Sequence, residues 1–580
     1  MWDVTEDGDL IVLALGGVQA FIGESRTTAD LAAASGMLSS LAAEAARVVG
    51  KSGGTLVFPE HTEEGGKPNR VVALTPRGSG AAVAGRAADA VREMWAAQVR
   101  QVFGESAGAP ADTPGFPDVS WVCVPGDRGD YAVKWDLARR ALAARRGVRA
   151  FGAVTEEGRA PCSLSPRWAS SPPPPKARKH HREEQLSRAN WVKRQHGLSE
   201  DGTRFPSTYA IASARFRSEV DARWDADGVA DAVRALRDVV RGLGGQRETP
   251  VPGLASGHGV DRLRVWLAES AGAWVYPERW REGIVAEAAP DASKSDAAAI
   301  AERGARAAGN LLERMRAHGV PRPAIYLAVV VQDLDDMGRF LSRPSVTVEA
   351  HQDVSRRLIG LAGRQTAALR GRELLGVPVY AGGDDLLALA PAATALATAA
   401  EVHRLAAETS DLPTASTAVL YFHYHAQLRH VLVEAQRLLR EAKDGVPGKH
   451  ALAVGFLRRS GFREESIQPW TPTTSGHSPE GLFEWLGRSG EFTLSPRLVT
   501  VLERDAGELQ SLRDTVYEAE LRRLVGRHAD GGTSAARDAW SAEAGRALVE
   551  LGDREHSAGR HGRRPAPVAR VGVFQRQEAR

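Results

Sequence analysis

Two acidic clusters about fifty residues apart are the strongest chemical signal in the sequence. The first, Asp333-Leu334-Asp335-Asp336, follows an apolar run, and the second, Gly382-Gly383-Asp384-Asp385, lies between two apolar runs. Crowded carboxylates repel one another unless a cation joins them, and Mg²⁺ is held in proteins by one or two carboxylates plus substrate phosphates. The pattern predicts a two-metal phosphoryl-transfer site, where one metal activates a 3′-hydroxyl and the other neutralises the leaving pyrophosphate.

The predicted catalytic residues are also the predicted ligands of Mg²⁺ or Mn²⁺. They are Asp333, Asp384 and Asp385. Asp335 and Asp336 are less clear, because either could instead cap a helix that begins near Met337. Asp336 is kept among the residues expected to bind the nucleotide.

Glycines and lysines supply the rest of the predicted nucleotide site. Gly382 and Gly383 allow the backbone to approach a triphosphate closely. Lys443 and Lys449 lie in the segment AKDGVPGK, at a predicted helix end and the strand after it, where they could meet phosphates as point charges. Gly and Asp are also ordinary turn residues. The flanking strands, the second acidic cluster and the downstream lysines together favour a functional site over a plain turn.

The elements around these residues predict a ferredoxin-like or palm domain. A strand at 324–334, a helix at 351–372, two strands within 376–391 and a helix at 392–408 precede a strand near 414–424, a helix at 427–443 and a closing strand near 450–459. The order β-α-β-β-α-β is that of a palm fold. In that fold the end of the first strand and the turn between the second and third strands share one edge, so the two acidic clusters are expected to meet.

A similar order of elements over about residues 10–125 predicts a first palm without an acidic site. Its first strand ends in Leu15-Gly16-Gly17, and its hairpin region reads FPEHTEEGGKPN. We expect this domain to form the other wall of a pocket or to be structural. Arg26 and Asp30 could contact a nucleotide, although an ion pair across one helical turn is the favoured interpretation.

The whole chain is expected to be α+β, with two palm domains joined and followed by helical regions. The predicted domains are 1–154, the first palm; 155–320, a degenerate zinc-ribbon region plus a helical domain; 321–460, the second palm with its GGDD hairpin; and 461–580, a helical domain with a flexible tail. The prolines 172–175 and the basic run after them predict an exposed loop, and the Arg/Gly-rich tail from about Glu555 is expected to fray.

Composition limits the class of protein. The 580 residues include 75 Lys+Arg against 72 Asp+Glu, and only two cysteines. A net charge of +3 excludes a protein coated in one sign of charge, so nucleic-acid contact must be local or come through partner subunits. Two cysteines exclude a disulfide scaffold and a four-thiolate zinc site. Without a leader sequence or a membrane-length apolar run, we expect a cytoplasmic protein with no membrane contact.

Several segments, in this order, resemble the large subunit of type III CRISPR effector complexes, in particular the Cmr-type (III-B) form. They are GGVQAFIGESRTTADLAAASGMLS, FPSTYAIASARFR, VVVQDLDDMGRFL, VYAGGDDLLALAP, TASTAVLYFHYHAQL and REAKDGVPGKHALAVGFLRRSG. The acidic hairpin and the lysine segment also look like the GGDEF-type nucleotidyl-cyclase palm. The resemblance implies that the chain joins other Cmr-type subunits, a guide crRNA and target RNA, and polymerises ATP into cyclic oligoadenylate.

The resemblance also implies roles for individual residues. Mg²⁺ would be held by the three aspartates named above, and the donor triphosphate would face Gly382 and Gly383, with Lys443 and Lys449 on its phosphates. Ser416 and the segment 423–425 match a strand near the site in that family, with core packing an equally good explanation.

Two departures from the family pattern stand out. None of the 16 histidines is followed by Asp, and the chain starts almost directly at the first palm strand, so no HD-type nuclease activity is expected. Where the family often carries a four-cysteine zinc ribbon, the ligand positions here hold Cys162, Ser165, Ser187 and Asn190. No zinc is expected, because this set lacks the deprotonated soft ligands that zinc needs. His180 and His181 are weaker candidates, since their basic, proline-rich flank favours a solvated loop.

Two other functions remain open at this point. The chain could be a catalytically idle structural subunit of the same complex. It could also be a free-standing diguanylate-type cyclase, which the second palm, the helical regions and a GGDD rather than GGDEF-like hairpin disfavour.

Overall fold

The structure is a computed structural model with an α+β fold built on two mixed helix–sheet domains. It describes residues 7–61, 69–104, 116–147, 159–178, 181–199, 202–203, 205–243, 249–255, 261–289, 293–343, 346–488, 490–530, 534–559 and 562–579.

The first domain is a four-stranded antiparallel sheet with helices packed on its faces. Its elements are β1 (Asp9–Gly16), α1 (Val18–Gly23), α2 (Thr28–Lys51), β2 (Thr55–Phe58), β3 (Arg70–Thr75), α3 (Gly80–Phe103), β4 (Asp118–Val124) and α4 (Tyr131–Gly147). The strand order β2-β3-β1-β4 is that of a ferredoxin-like sheet. The predicted first module is therefore present.

The middle of the chain is mainly helical. Its elements are α5 (Arg188–His196), β5 (Leu198–Ser199), β6 (Gly202–Thr203), α6 (Thr208–Ala212), α7 (Ala214–Ala222), α8 (Val229–Arg241), α9 (Pro252–Ala255), α10 (Arg262–Glu269), α11 (Glu282–Ala288) and α12 (Lys294–Ala317). Irregular chain precedes α5, and in the four-proline run Pro174 is buried while its three neighbours are exposed. The expectation of an exposed loop holds for most of this run.

The second domain repeats the same order in a larger sheet. Its elements are β7 (Tyr326–Leu334), α13 (Met337–Phe340), α14 (Val348–Leu369), β8 (Val377–Gly382), β9 (Asp385–Pro391), α15 (Ala395–Ala407), β10 (Ala415–His423), α16 (Leu428–Gly445), β11 (Ala451–Leu457) and β12 (Arg463–Pro469). The strand order is β12-β11-β10-β7-β9-β8. Its last four strands repeat the first sheet, β11 adds in parallel to β10, and β12 adds antiparallel to β11.

Alternation along β7 explains why this sheet is the centre of the molecule. Leu327, Val329 and Val331 point into a core shared with the helical middle of the chain, while Ala328 and Val330 point into a core shared with the C-terminal helices. Successive strand residues face opposite sides of a sheet. The second sheet is therefore buried on both faces, and all its strands except the edge strand β12 are mainly apolar.

The C-terminal region is helical, as expected, but its tail is not frayed. Its elements are α17 (Pro479–Leu486), β13 (Thr493–Leu494), α18 (Pro496–Arg504), α19 (Ala506–Ser511), α20 (Asp514–His528), β14 (Ala529–Asp530), α21 (Ser534–Gly552) and α22 (Pro565–Glu578). Phe574 of α22 stacks on Phe456 of β11 with ring centroids 4.2 Å apart. The expectation of a flexible tail is wrong. The sequence before this helix is rich in arginine and glycine, which drew attention away from the apolar residues by which the helix packs on the rest of the protein.

In the part of the chain that the structure describes, no helix is both long and apolar enough to span a bilayer.

Replacing Phe574 with Ala tests whether α22 is an integral part of the fold. Phe574 is 1% exposed, and Phe→Ala changes in a core cost about 3–5 kcal/mol. We expect the free energy of unfolding, measured by urea titration, to fall by about that amount. Gln577→Ala, on the exposed side of the same helix, is the control and should change little. Equal stabilities of the two variants would contradict the packing described here.

Candidate active site at the edge of the second sheet

The register of the second sheet brings the two acidic clusters together. Asp333, near the end of β7, is directly opposite Asp385, the first residue of β9. The backbone carbonyl of Asp384 accepts a hydrogen bond from the amide of Leu334 at 3.0 Å. Gly383 has φ +66°, a conformation that favours glycine and closes the turn tightly. The structure thus places all three predicted catalytic aspartates at one edge, as the order of elements predicts.

Negative charge is crowded at this edge. Burial, together with the neighbouring Asp385 carboxylate, raises the pKa of Asp384 to about 6, and Arg70 opposes that rise. Burial raises the pKa of Asp385 to about 6 as well. The Asp384 side chain keeps solvent contact inside a broad cleft, so its desolvation comes from the walls around it. A cation bound here would relieve the repulsion between the two carboxylates.

Asp335 holds the site together and is not a helix cap. It is 3% exposed and accepts hydrogen bonds from Thr414 Oγ1 at 2.9 Å, Ser416 Oγ at 2.9 Å and the backbone amide of His450 at 3.0 Å. Burial raises its pKa despite these donors. Asp335 therefore ties the start of β10 to the turn before β11.

Asp336 makes an ion pair and does not cap through its side chain. It occupies the residue before α13 with φ +52° and makes no side-chain capping bond. Its carboxylate lies 2.5 Å from Lys449 Nζ, and this contact lowers its pKa. The expectation that Asp335 or Asp336 caps the helix near Met337 is wrong for both side chains.

The two lysines contact the first acidic cluster. Lys443, in the last turn of α16, forms an ion pair with Asp333, lies 3.5 Å from Asp335 and donates to the Leu334 carbonyl at 3.2 Å. Burial and the charge of Lys449 lower its pKa to about 8. Lys449 lies in the turn before β11 with φ +62°, not on the strand itself. Their assignment to triphosphate oxygens stays a prediction.

A cavity of about 1160 Å³ separates the acidic edge from the first domain. One wall carries the β8–β9 turn and residues of α14, and the other carries Gly17–Ala20, α2 and the start of β3. The first domain thus forms the opposite wall of the pocket, one of the two roles expected for it. Three arginines that line the cavity escaped the sequence analysis: Arg70, Arg146 and Arg370. Arg70 begins a strand, and no local motif distinguishes it from a surface residue.

The donor set fits a hard divalent cation completed by substrate. Asp333, Asp384 and Asp385 offer carboxylate oxygens, the ligands that Mg²⁺ prefers. Within the described ranges, no group of three or more His, Cys, Asp or Glu side chains is placed to hold a metal ion, and Asp333 is paired with Lys443. An open carboxylate edge beside a cavity suits a cation whose remaining ligands are water and phosphate oxygens.

Two segments of the chain match models of known protein families. A model of the second palm domain of Cas10/Cmr2 matches residues 326–453, which contain the entire acidic edge. A model of the N-terminal region of the CRISPR-associated protein Cmr2 matches residues 10–65. In these two segments the chain is similar to Cas10/Cmr2 proteins. The CRISPR system Cmr subunit Cmr2 of Pyrococcus furiosus is 30% identical over 181 residues. That match covers 26% of this chain and only 21% of the relative's length.

Two solved structures share the fold of this chain. A chain of type III-B Cmr-beta in its apo state aligns with a TM-score of 0.62 at 12% identity, covering 98% of this chain and 82% of that one. A chain of type III-B Cmr-beta bound to cognate target RNA aligns with a TM-score of 0.60 at 13% identity, covering 98% and 83%. At these identities the likeness concerns the fold alone.

Other predicted residues lie away from the acidic edge or act differently there. Ser416 supports the site through Asp335, whereas His423 lies at the opposite end of β10. Asp30 closes a capping box with Thr27 at the start of α2 and pairs with Arg194 at 2.6 Å. Arg26 pairs with Glu184 at 2.9 Å. The predicted ion pair between Arg26 and Asp30 is not formed.

Four positions correspond to the expected zinc ligands of the related family, and three of them contact the side-chain amide of the fourth, Asn190. Asn190 Nδ2 lies 3.4 Å from Cys162 Sγ, 2.9 Å from Ser165 Oγ and 3.1 Å from Ser187 Oγ. A hydrogen-bonded side chain thus occupies the centre where a metal would join four thiolates. His181 is not solvated, because it packs against Glu184 with a 2.7 Å contact, and His180 lies outside the described residues.

Restoring thiolates tests this convergence. We expect the variant Ser165→Cys/Ser187→Cys/Asn190→Cys to bind one zinc ion per chain, because Cys162 and three new thiolates would surround one point. Metal analysis and the absorption spectrum of the Co²⁺ form measure the outcome. The same variant with Cys162→Ser is the control and should lose the tetrahedral thiolate spectrum. Failure of the four-cysteine variant to take up either metal would contradict the convergence.

Stability as a function of pH tests the charge crowding. The folded pKa of Asp384 and Asp385 lies above the ordinary value of 3.8, so their ionisation, as the pH rises through about 6, destabilises the folded chain. In metal-free buffer, Asp384→Asn/Asp385→Asn should raise Tm above pH 6, and the gain should vanish as the pH falls towards 4. The exposed pair Asp89→Asn/Asp238→Asn is the control. A gain independent of pH would argue against crowding.

Proposed function

We propose that this chain is the subunit of a type III CRISPR effector complex that polymerises ATP into cyclic oligoadenylate when target RNA binds. The observation that carries the proposal is the pairing of Asp333 with Asp385 across adjacent strands, where Asp384 and Asp385 line a large cavity. At about 1160 Å³ the cavity exceeds the usual range of roughly 300–1,000 Å³ for a small-molecule site, which supports the binding of two nucleotides together.

The proposed roles follow from the chemistry of each group. Asp333, Asp384 and Asp385 would hold Mg²⁺ or Mn²⁺, which when bound polarises phosphate oxygens and favours ionisation of an attacking hydroxyl. Gly382 and Gly383 expose backbone to a triphosphate, because neither carries a side chain that would block it.

Cations on both walls of the cavity suit a polyphosphate. Arg70 lies close enough to Asp384 to affect its pKa, although it belongs to the first domain. Arg146 and Arg370 line the same cavity. Guanidinium groups form paired hydrogen bonds with phosphate oxygens. We therefore infer that the first domain contributes phosphate-binding arginines, while the second supplies the carboxylates.

The partners are proposed from the similarity to Cas10/Cmr2 proteins. Other Cmr-type subunits, a guide crRNA and target RNA would surround the chain, and RNA would control access to the nucleotide cavity. The family match to residues 326–453 and the fold shared with Cmr-beta support this assembly.

One observation favours a catalytically idle subunit as the second candidate. Lys443 already pairs with Asp333 and lies 3.5 Å from Asp335. A lysine ammonium can neutralise a carboxylate in place of a metal. In an idle subunit this ion pair would be permanent. In an active subunit the ion pair must break so that Asp333 can bind the metal ion.

The assembled complex decides between the two candidates. With target RNA, Mg²⁺ and ATP, we expect mass spectrometry to detect cyclic oligoadenylate, and Asp384→Asn/Asp385→Asn to reduce the product to background because both carboxylates would bind the metal. Asp89→Asn/Asp238→Asn makes the same charge change on exposed helices and should leave the yield unchanged.

Three further outcomes are informative. No product with any divalent ion, despite intact assembly, would favour the idle subunit. Product formed equally by the double variant would reject the site. Cyclic dinucleotide made from GTP by the isolated chain would support the diguanylate-type alternative.

A further inference from the structure

The edge of the second sheet opposite the acidic hairpin has the reverse electrostatic character. There β10 ends at His423, β7 begins at Tyr326, β11 ends at Leu457 and β12 begins at Arg463. Because β10 has nine residues, the two edges are roughly 26 Å apart. This opposite edge, with the β11–β12 turn and residues 279–281 beside it, is called the basic edge below.

Four arginines gather at the basic edge. The Arg279 guanidinium lies 4.5 Å from the ring centroid of Tyr209, whose hydroxyl is hydrogen-bonded to the exposed His425. Arg279, Arg281 and Arg459 all help to lower the pKa of His425, in addition to burial. Arg458 lies over the Phe456 ring at 5.7 Å. Arg279, Arg281 and Arg459 therefore lie around His425, and Arg458 and Arg459 both lie near Tyr326.

Opposing carboxylates are few at the basic edge. Glu278 accepts from the Tyr424 hydroxyl at 3.4 Å, and Glu578 adds to the effect of burial in raising the pKa of Tyr326. Glu464 and Glu465, at the start of β12, already pair with Arg570 and Arg437. Arg281 donates only to the backbone carbonyl of Glu278, at 3.0 Å. Across the described part of the chain, none of the four arginines has a carboxylate oxygen within ion-pair distance. These positive charges are therefore available for a ligand.

Aromatic rings interleave with these charges. Phe462 lies in the β11–β12 turn with 44% of its surface exposed, one of the few large apolar side chains so exposed in the described residues. Its ring is 6.1 Å from Phe456, which stacks on Phe574 at 4.2 Å. Phe574 is in turn 5.0 Å from Tyr326, which lies 5.6 Å from His423. The rings therefore form a continuous row along the edge, ending in an exposed face at the turn.

We propose that the basic edge binds a single-stranded polynucleotide, with Arg279, Arg281 and Arg459 on its phosphates and Phe462 stacked on a base. Positive charge together with an exposed aromatic ring suits a single strand, because the backbone needs cations and the unpaired bases need flat apolar partners. Phe462 is that ring, since Phe456, Phe574 and Tyr326 are buried. An acidic protein surface would use the charges and leave an exposed Phe in a tight turn unexplained. The proposal is independent of the reaction at the acidic edge.

Salt dependence tests the charged part of the proposal. Fluorescence anisotropy would follow binding of labelled polyuridylate to the full chain and to the variant Arg279→Gln/Arg281→Gln/Arg459→Gln. Each phosphate contact on a single strand contributes about 0.7 to the slope of log K against log salt, so the slope should fall by about 2. The matched control, Arg86→Gln/Arg92→Gln/Arg523→Gln, removes three exposed arginines elsewhere and should leave the slope nearly unchanged.

Phe462→Ala tests the stacking part without removing charge. Loss of one base-stacking ring should weaken polyuridylate binding by about tenfold while the salt slope stays constant. This exposed turn residue can be replaced without unfolding the chain, so the test stands even if the triple arginine variant does not fold. Oligothymidylate run in parallel distinguishes a site that prefers RNA from one that binds any single strand, and preference for either supports the proposal.

Two results would overturn the inference. The first is that the triple arginine variant binds polyuridylate as its matched control does, and that Phe462→Ala binds it as the unaltered chain does. The second is unchanged polyuridylate binding together with loss of assembly into the complex, which would assign the basic edge to a protein partner.

Discussion

Repulsion between carboxylates placed opposite each other on adjacent strands is the constraint that organises this structure. The register of β7 and β9 fixes Asp333 against Asp385, and the turn adds Asp384. Such a cluster persists only if the surrounding fold supplies enough binding energy and counter-charge. Lys443 supplies the counter-charge from the last turn of α16. The helix and the turn before β11 must therefore be held against the edge.

Asp335 provides that hold. It links Thr414 and Ser416 to the backbone of His450, and so joins its own segment to two others, which lie 79 to 81 and 115 residues further along the sequence. A buried carboxylate with three donors is costly to move, because each lost donor leaves an unsatisfied acceptor. Asp335, which in the sequence is only one more acidic residue of the cluster, thus sets the positions of Lys443 and Lys449.

The sequence allowed correct prediction of those contacts that the order of strands alone determines. The order of strands predicts that Asp333 and the GGDD turn share an edge, whatever the packing around them. It could not predict the role of Asp335, since its partners are set by side-chain geometry across three strands. Arg70 was missed because it reaches the site from another domain, and α22 because the polar residues before it hide its apolar face. The pairing of Lys449 with Asp336 could not be predicted, because both residues have a left-handed backbone conformation that no sequence motif indicates.

The separation of the two edges restricts how they could communicate. About 26 Å is roughly three Debye lengths at physiological ionic strength, so charge bound at the basic edge is largely screened from the carboxylates. Coupling would have to pass mechanically along β10, whose first residues hold Asp335 through Ser416 and whose last residue contacts Tyr326. A small axial shift of β10 would change the Ser416–Asp335 contact and, through His450, the turn that carries Lys449. Both edges therefore depend on the one strand that lies between β7 and β11.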